Sequence, residues 1–120
     1  MRTARAEVPP FTTKDGSIIR ELMHPRSHTA RQQSLAEATV PPGFATALHM
    51  HHRSEEIYLI LDGAGTMTLG EETFRVARGD TICIAPGTPH RIRNDSADAP
   101  LVLLCACAPA YADEDTQLLE

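Results

Sequence analysis

Lysine is nearly absent from this chain: Lys14 is the only one among eleven basic residues, against sixteen acidic ones. The arginines are scattered and no basic run occurs, so nothing offers a track for a phosphate backbone, and nucleic acid is excluded as an expected partner. No apolar stretch approaches the roughly 20 residues needed to span a bilayer, so no membrane partner is expected either. The opening MRTARAEVPP has charge but no apolar segment behind it, which is not the pattern of a secretory signal. Cysteines are few and odd in number (Cys83, Cys105 and Cys107). The last two alternate on one expected strand, a poor start for an intrachain disulfide. A reducing cytoplasm is the simplest setting for such a chain.

What is present is a chain of 120 residues, 42% of them hydrophobic, with room for one domain and one core. A chain of this length buries roughly two-thirds of its unfolded surface, enough to fold without disulfides. Helical periodicity is weak. Short segments rich in Val, Ile, Leu and Thr alternate with Gly, Pro and Asp breaks, which predicts strands near 17–23, 32–40, 44–50, 56–62, 64–69, 72–77, 81–85, 89–94 and 100–107. Such a series of short strands with regular turns predicts an all-β sandwich or barrel. Residues 1–16 read as an extended N-terminal arm, 17–109 as the barrel and 110–120 as a polar tail or short terminal turn. Residues 21–31 read as a loop, because Pro25 cannot continue a strand ladder.

Four of the six histidines fall in two places, three of them between 49 and 52. In a strand, residues i and i+2 share a face about 6.6 Å apart. His49 and His51 can therefore aim at one point while Met50 and His52 face away. Glu55 and Glu56 open the next strand across a turn at Arg53 and Ser54, and one of these carboxylates can complete an N,N,O face. His90, after Pro86-Gly87-Thr88-Pro89, is the candidate for a fourth ligand. Three neutral imidazoles and one carboxylate suit one divalent transition metal ion (Fe, Mn, Co, Ni, Cu or Zn) rather than Ca or Mg.

These residues also carry a resemblance. Gly43, His49-x-His51, Glu56 and Gly63 stand at the spacings of the first signature of the cupin superfamily. Gly79-Asp80, Pro86, His90 and Asn94 resemble the second, with 15 residues between Gly63 and Gly79. One departure is Ala85, where the family usually has proline; the neighbouring Pro86 can stiffen that turn. The two signatures span residues 43–94. The chain is similar to small single-domain conserved-barrel (RmlC-like) cupins, which implies a double-stranded β-helix, or jelly-roll, barrel. The resemblance also implies that Glu56 rather than Glu55 is the ligand, so that the metal set is His49, His51, Glu56 and His90.

Strand alternation puts Tyr58 and Ile60 on the face of Glu56, where they would line a pocket. Glu56, the one ligand able to release the ion and take a proton, is also a candidate general base, and Tyr58 a candidate for orienting substrate. Cys105 and Cys107 share a face, either as small buried hydrophobes or as thiols near the metal that help bind substrate. Cys83 reads as core, His52 as surface, and His24 and His28 as solvated loop residues. Arg91 and Arg93 read as solvated charge, and Asp80 and Asn94 as turn formers.

The four ligands leave open positions for a small oxygen-rich molecule, bound in a bidentate manner. The expected chemistry is dioxygenase-type oxygenation or isomerase and lyase chemistry. The alternative is a non-catalytic module that tethers a small-molecule ligand through the metal. The lone lysine and outward arginines argue against a sugar phosphate. A homodimer is expected, because open strand edges must be covered and the arm is suited to joining a partner's sheet.

Overall fold

The computed structural model describes residues 1–120. Eleven strands follow in chain order: β1 Phe11–Thr12, β2 Ile18–Met23, β3 Ser34–Val40, β4 His49–His51, β5 Glu55–Asp62, β6 Ala64–Leu69, β7 Glu72–Ala77, β8 Thr81–Ile84, β9 His90–Asn94, β10 Leu101–Ala108 and β11 Thr116–Leu118. They form two antiparallel sheets facing one another, in the orders β1-β2-β3-β10-β5-β8 and β11-β4-β9-β6-β7. This is the all-β barrel expected from the turn pattern, in the jelly-roll form that the cupin resemblance implies. No helix is long and apolar enough to cross a membrane.

Alternation builds the core. On β5, Glu56, Tyr58 and Ile60 are buried while Glu55 and Ile57 are exposed. On β10, Leu101, Leu103, Cys105 and Cys107 turn inward. These residues meet Val40, Met67, Ile82, Ile84 and Ile92, all 5% exposed or less. Fully burying each such aliphatic side chain contributes about 1.5–3 kcal/mol, so the barrel closes on apolar area without covalent staples.

Gly63 shows why one signature position admits no side chain. It turns the chain from β5 into β6 with φ +86°, in the left-handed region, and a Cβ there would lie 2.7 Å from the Pro100 carbonyl oxygen.

Both termini depart from the expected layout. Part of the arm is itself a strand: β1 pairs with the chain's own β2 and forms one edge of the larger sheet. Upstream, the Arg5 guanidinium grips the Glu37 carboxylate at 2.7 and 2.8 Å, and Thr3 donates to the Leu22 carbonyl. The C-terminal segment is not a loose tail, because β11 pairs with β4 along residues 49–51. Lys14 joins the two ends, donating from Nζ to the carbonyls of Asp113 and Thr116. The expected strand over 44–50 is reduced to β4, with only an isolated bridge from Ala45 to Arg93 before it.

Two further side chains sit elsewhere than expected. Cys83 is exposed, because Ile82 and Ile84 take the inward positions of β8. His24 is buried rather than solvated: its Nε2 lies 2.7 Å from the Tyr111 carbonyl and its Nδ1 accepts from the Arg26 amide. Arg26, in the same loop, is exposed as the outward arginines are expected to be, and pairs with Glu21 at 3.3 Å at the rim of the cavity.

Candidate metal centre

β4 presents His49 and His51 on its inward face, and β9 opens with His90 directly opposite His49. β5, across the turn at 52–54, brings Glu56. All four are 5% exposed or less. The ring nitrogens of the three histidines lie within 4.8 Å of one another. Glu56 Oε1 stands 3.2 Å from His51 Nε2 and 3.3 Å from His90 Nε2. Two donors each about 2.1 Å from one ion stand about 3 Å apart when their bonds are at right angles, so these separations are of ligand-to-ligand size.

Each ring is held from behind. His49 Nδ1 lies 2.7 Å from the Ala47 carbonyl and His90 Nδ1 2.9 Å from the Thr88 carbonyl. A carbonyl only accepts, so both Nδ1 atoms carry the proton. His51 Nδ1 meets Thr116 Oγ1 at 2.9 Å, and that hydroxyl donates to the Ala112 carbonyl, which leaves it a lone pair for His51. All three neutral rings thus turn an unprotonated Nε2 toward the barrel interior, the tautomer a metal requires.

The carboxylate is oriented in the same way. Cys107 Sγ donates to Glu56 Oε2 at 3.2 Å, leaving Oε1 to face the imidazoles. Glu56 Oε1 and His90 Nε2 are fully buried without a hydrogen-bond partner in the chain. An uncompensated buried carboxylate costs several kcal/mol, more than one neighbouring aliphatic returns by burial. A cation among three lone pairs and one carboxylate oxygen removes that penalty, so these residues fit a divalent transition metal.

Burial pushes the Glu56 carboxyl up; protonated His51 and His90 rings would outweigh this by hydrogen bond and charge, and with both Nε2 atoms unprotonated only a bound cation supplies that downward pull. Burial and the nearby His90 push the His49 ring down, against a smaller upward push from Asp15. Burial, then Glu56, drives the Cys107 thiol upward, and Cys105 shifts the same way, so both stay neutral thiols. Neither is set up as a thiolate ligand or nucleophile.

The cluster opens into a cavity of about 90 Å³ whose mouth is bordered by the exposed residues Phe11, Arg26 and Asp113. Tyr58, Cys105 and Cys107 line it as expected, and burial keeps Tyr58 a neutral phenol. Ile60 does not line it; two residues beyond Tyr58, it lies in the apolar core. His52 and Glu55 are exposed, and Asp80 and Asn94 serve turns, Asn94 by donating to the Val40 and Ala99 carbonyls.

Sequence reasoning missed Asp15, Tyr111 and Thr116, all of which line the cavity. Asp15-Gly16 is legible as a turn, but no local signal tells where that turn lands.

A family model for the cupin domain matches residues 36–107, more than half of the sequence. The chain is a cupin. Over its full length this cupin is 53% identical to the uncharacterized protein MJ1618 of Methanocaldococcus jannaschii, covering 95% of that protein. Over 77 residues, 64% of its length, it is 34% identical to the mannose-1-phosphate guanylyltransferase RfbM of Salmonella typhimurium, but spans only 16% of that protein. Among solved structures it superposes on Streptomyces Pac13, a nucleoside dehydratase, with a TM-score of 0.79 at 18% identity, covering all of this cupin and 91% of that chain. A predicted oxalate decarboxylase from Thermotoga maritima gives 0.79 at 23% identity, covering 91% and 99% of the two chains. At these identities the structural likeness shows the fold alone.

Proposed function

We propose that this cupin is a metal-dependent enzyme acting on a small oxygen-rich molecule, with His49, His51, Glu56 and His90 holding one divalent transition ion. The observation that carries this reading is the unpartnered pair of buried atoms, Glu56 Oε1 and His90 Nε2, within a cluster whose rings all present Nε2. The bound ion supplies Lewis acidity, polarising a carbonyl or hydroxyl oxygen.

The chain's own residues do the rest. Ala38, Val40 and Leu103 give the cavity an apolar wall, and the volume of about 90 Å³ suits a small molecule. Tyr58 stands in the wall as a neutral phenol, a donor for an oxygen of a bound molecule, and Cys105 and Cys107 contribute small apolar wall. Proton-handling side chains in that wall favour isomerase or lyase chemistry over dioxygenase chemistry.

The test is a panel of small hydroxy and keto acids, ketoses and nucleosides incubated in D₂O with metal-loaded protein and followed by NMR. Deuterium incorporation or elimination without oxygen uptake is expected. Oxygen consumption would favour the dioxygenase reading, and ligand-dependent thermal stabilisation without product the tethering module.

A homodimer is part of this proposal. Its support is an apolar row on the outer face of the larger sheet, where Leu35, Ala106 and Ile57 stand in register across β3, β10 and β5. Leu35 is 37% exposed and Ile57 45%. Leu104 and Leu59 form the adjoining row. A two-fold axis through this face would bury the same row on both copies.

A further inference from the structure

Asp15 is the second carboxylate at this centre. It sits at the tip of the β1–β2 hairpin, 34 positions before His49, and belongs to none of the motif positions. Its Oδ1 is fully occupied, accepting from Thr13 Oγ1 at 2.8 Å, Ser17 N at 2.9 Å and Ser17 Oγ at 2.7 Å. Its Oδ2 takes none of these and lies 3.5 Å from His49 Nε2. The side chain is only 15% exposed and faces the cavity.

The hairpin that carries it is tied to the metal strand. The Ala47 amide donates to the Asp15 carbonyl, and the Ala47 carbonyl accepts from His49 Nδ1, so Asp15 and His49 share one anchor. Lys14 pins the same hairpin to the C-terminal segment, whose Thr116 supports His51. Two lone-pair-bearing atoms, Asp15 Oδ2 and His49 Nε2, therefore face each other in fixed positions. The separation is close to the 3.2 and 3.3 Å by which Glu56 Oε1 faces His51 and His90.

We infer that Asp15 is a fifth donor of the metal centre, contributing its Oδ2 from the His49 side. This rests on the metal reading proposed above. A set of three imidazoles and two carboxylates is harder than three and one, which shifts preference toward Mn, Fe and Co and away from Cu. Five protein donors leave a six-coordinate ion a single exchangeable position, so the substrate would attach through one oxygen atom rather than two.

The test titrates Co(II) into metal-free full-length protein by calorimetry while recording the visible spectrum, whose intensity reports coordination number. Asp15→Asn keeps the Oδ1 acceptor and removes the charge. Its affinity should fall at least tenfold, and its spectrum should move toward that of lower coordination, with the metal-free melting temperature unchanged. Equal affinity and an identical spectrum in wild type and D15N would overturn the inference while leaving the four-ligand centre intact. Absence of binding by wild type would remove the metal reading and this inference together. Thr13→Val controls for loosening of the hairpin, since it removes one donor to Oδ1 and keeps the carboxylate. A loss in D15N no greater than in T13V would assign Asp15 a structural role only and overturn the inference.

Discussion

Thr116 Oγ1 lies 2.9 Å from Nδ1 of His51, a residue 65 positions earlier in the chain. The hydroxyl proton goes to the Ala112 carbonyl, so Thr116 accepts from the imidazole and fixes its tautomer. Supports of this kind are typically worth about 10–100-fold in metal affinity. Thr116→Val, similar in shape but without the acceptor, should weaken metal binding by roughly tenfold or more, while Thr116→Ser restores it. Equilibrium dialysis of the three proteins against one metal checks this; equal affinity in T116V would show that the hydroxyl does not support the ring.

Glu56 separates stability from function. Without a cation its Oε1 is a buried oxygen lacking a partner, so Glu56→Gln should leave the chelated protein at least as heat-stable as wild type. With metal the order reverses, because a ligand at about 100 times its dissociation constant adds about 2.7 kcal/mol that the variant cannot gain. Melting curves of both proteins, with chelator and with saturating metal, give the comparison. A large destabilisation of chelated E56Q would mean that the carboxylate is satisfied by protein groups alone.

The Arg5–Glu37 pair predicts an acid-sensitive arm. The Arg5 guanidinium, by hydrogen bond and by charge, lowers the Glu37 carboxyl against the opposing push of burial. A folded-state value below the unfolded one stabilises the protein above the ordinary carboxylate range and is lost as pH falls through the lowered value. Arg5→Ala should therefore melt below wild type near neutral pH, and the difference should close below about pH 4. A difference independent of pH would assign the effect to packing.

Assembly is checked on the outer face of the larger sheet. Ile57→Asp, which changes an exposed side chain in the middle of the apolar row, should convert a species of twice the chain mass into one of single mass in sedimentation. Wild type sedimenting as a monomer would end the dimer proposal.

Much of the barrel was legible because its breaks are chemical. Gly63 demands a left-handed turn, and the alternation from Glu56 to Ile60 names the inward face of β5. The histidine pair was legible for the same reason, because period-two geometry aims His49 and His51 together; that geometry left Glu55 and Glu56 open, and the choice of Glu56 came from the cupin resemblance. Cys83 was misread as core, although Ile82 and Ile84 on either side of it take the inward face by the same alternation. What stayed hidden depends on distant partners. β11 is only three residues long and gains its order from pairing with β4, so its own sequence shows little strand pattern. His24 looks like a loop residue until Tyr111, 87 positions away, closes over it. Asp15 reads as an ordinary turn former, because its direction is set by the backbone of Ala47 rather than by its neighbours.

The most direct measurement is the metal content of the chain, purified without an affinity tag and dialysed against metal-free buffer, by plasma mass spectrometry. The account predicts about one divalent transition ion per chain and almost none in His51→Ala. A folded wild-type protein that retains no ion after exposure to Fe, Mn, Co, Ni, Cu and Zn in turn would contradict it.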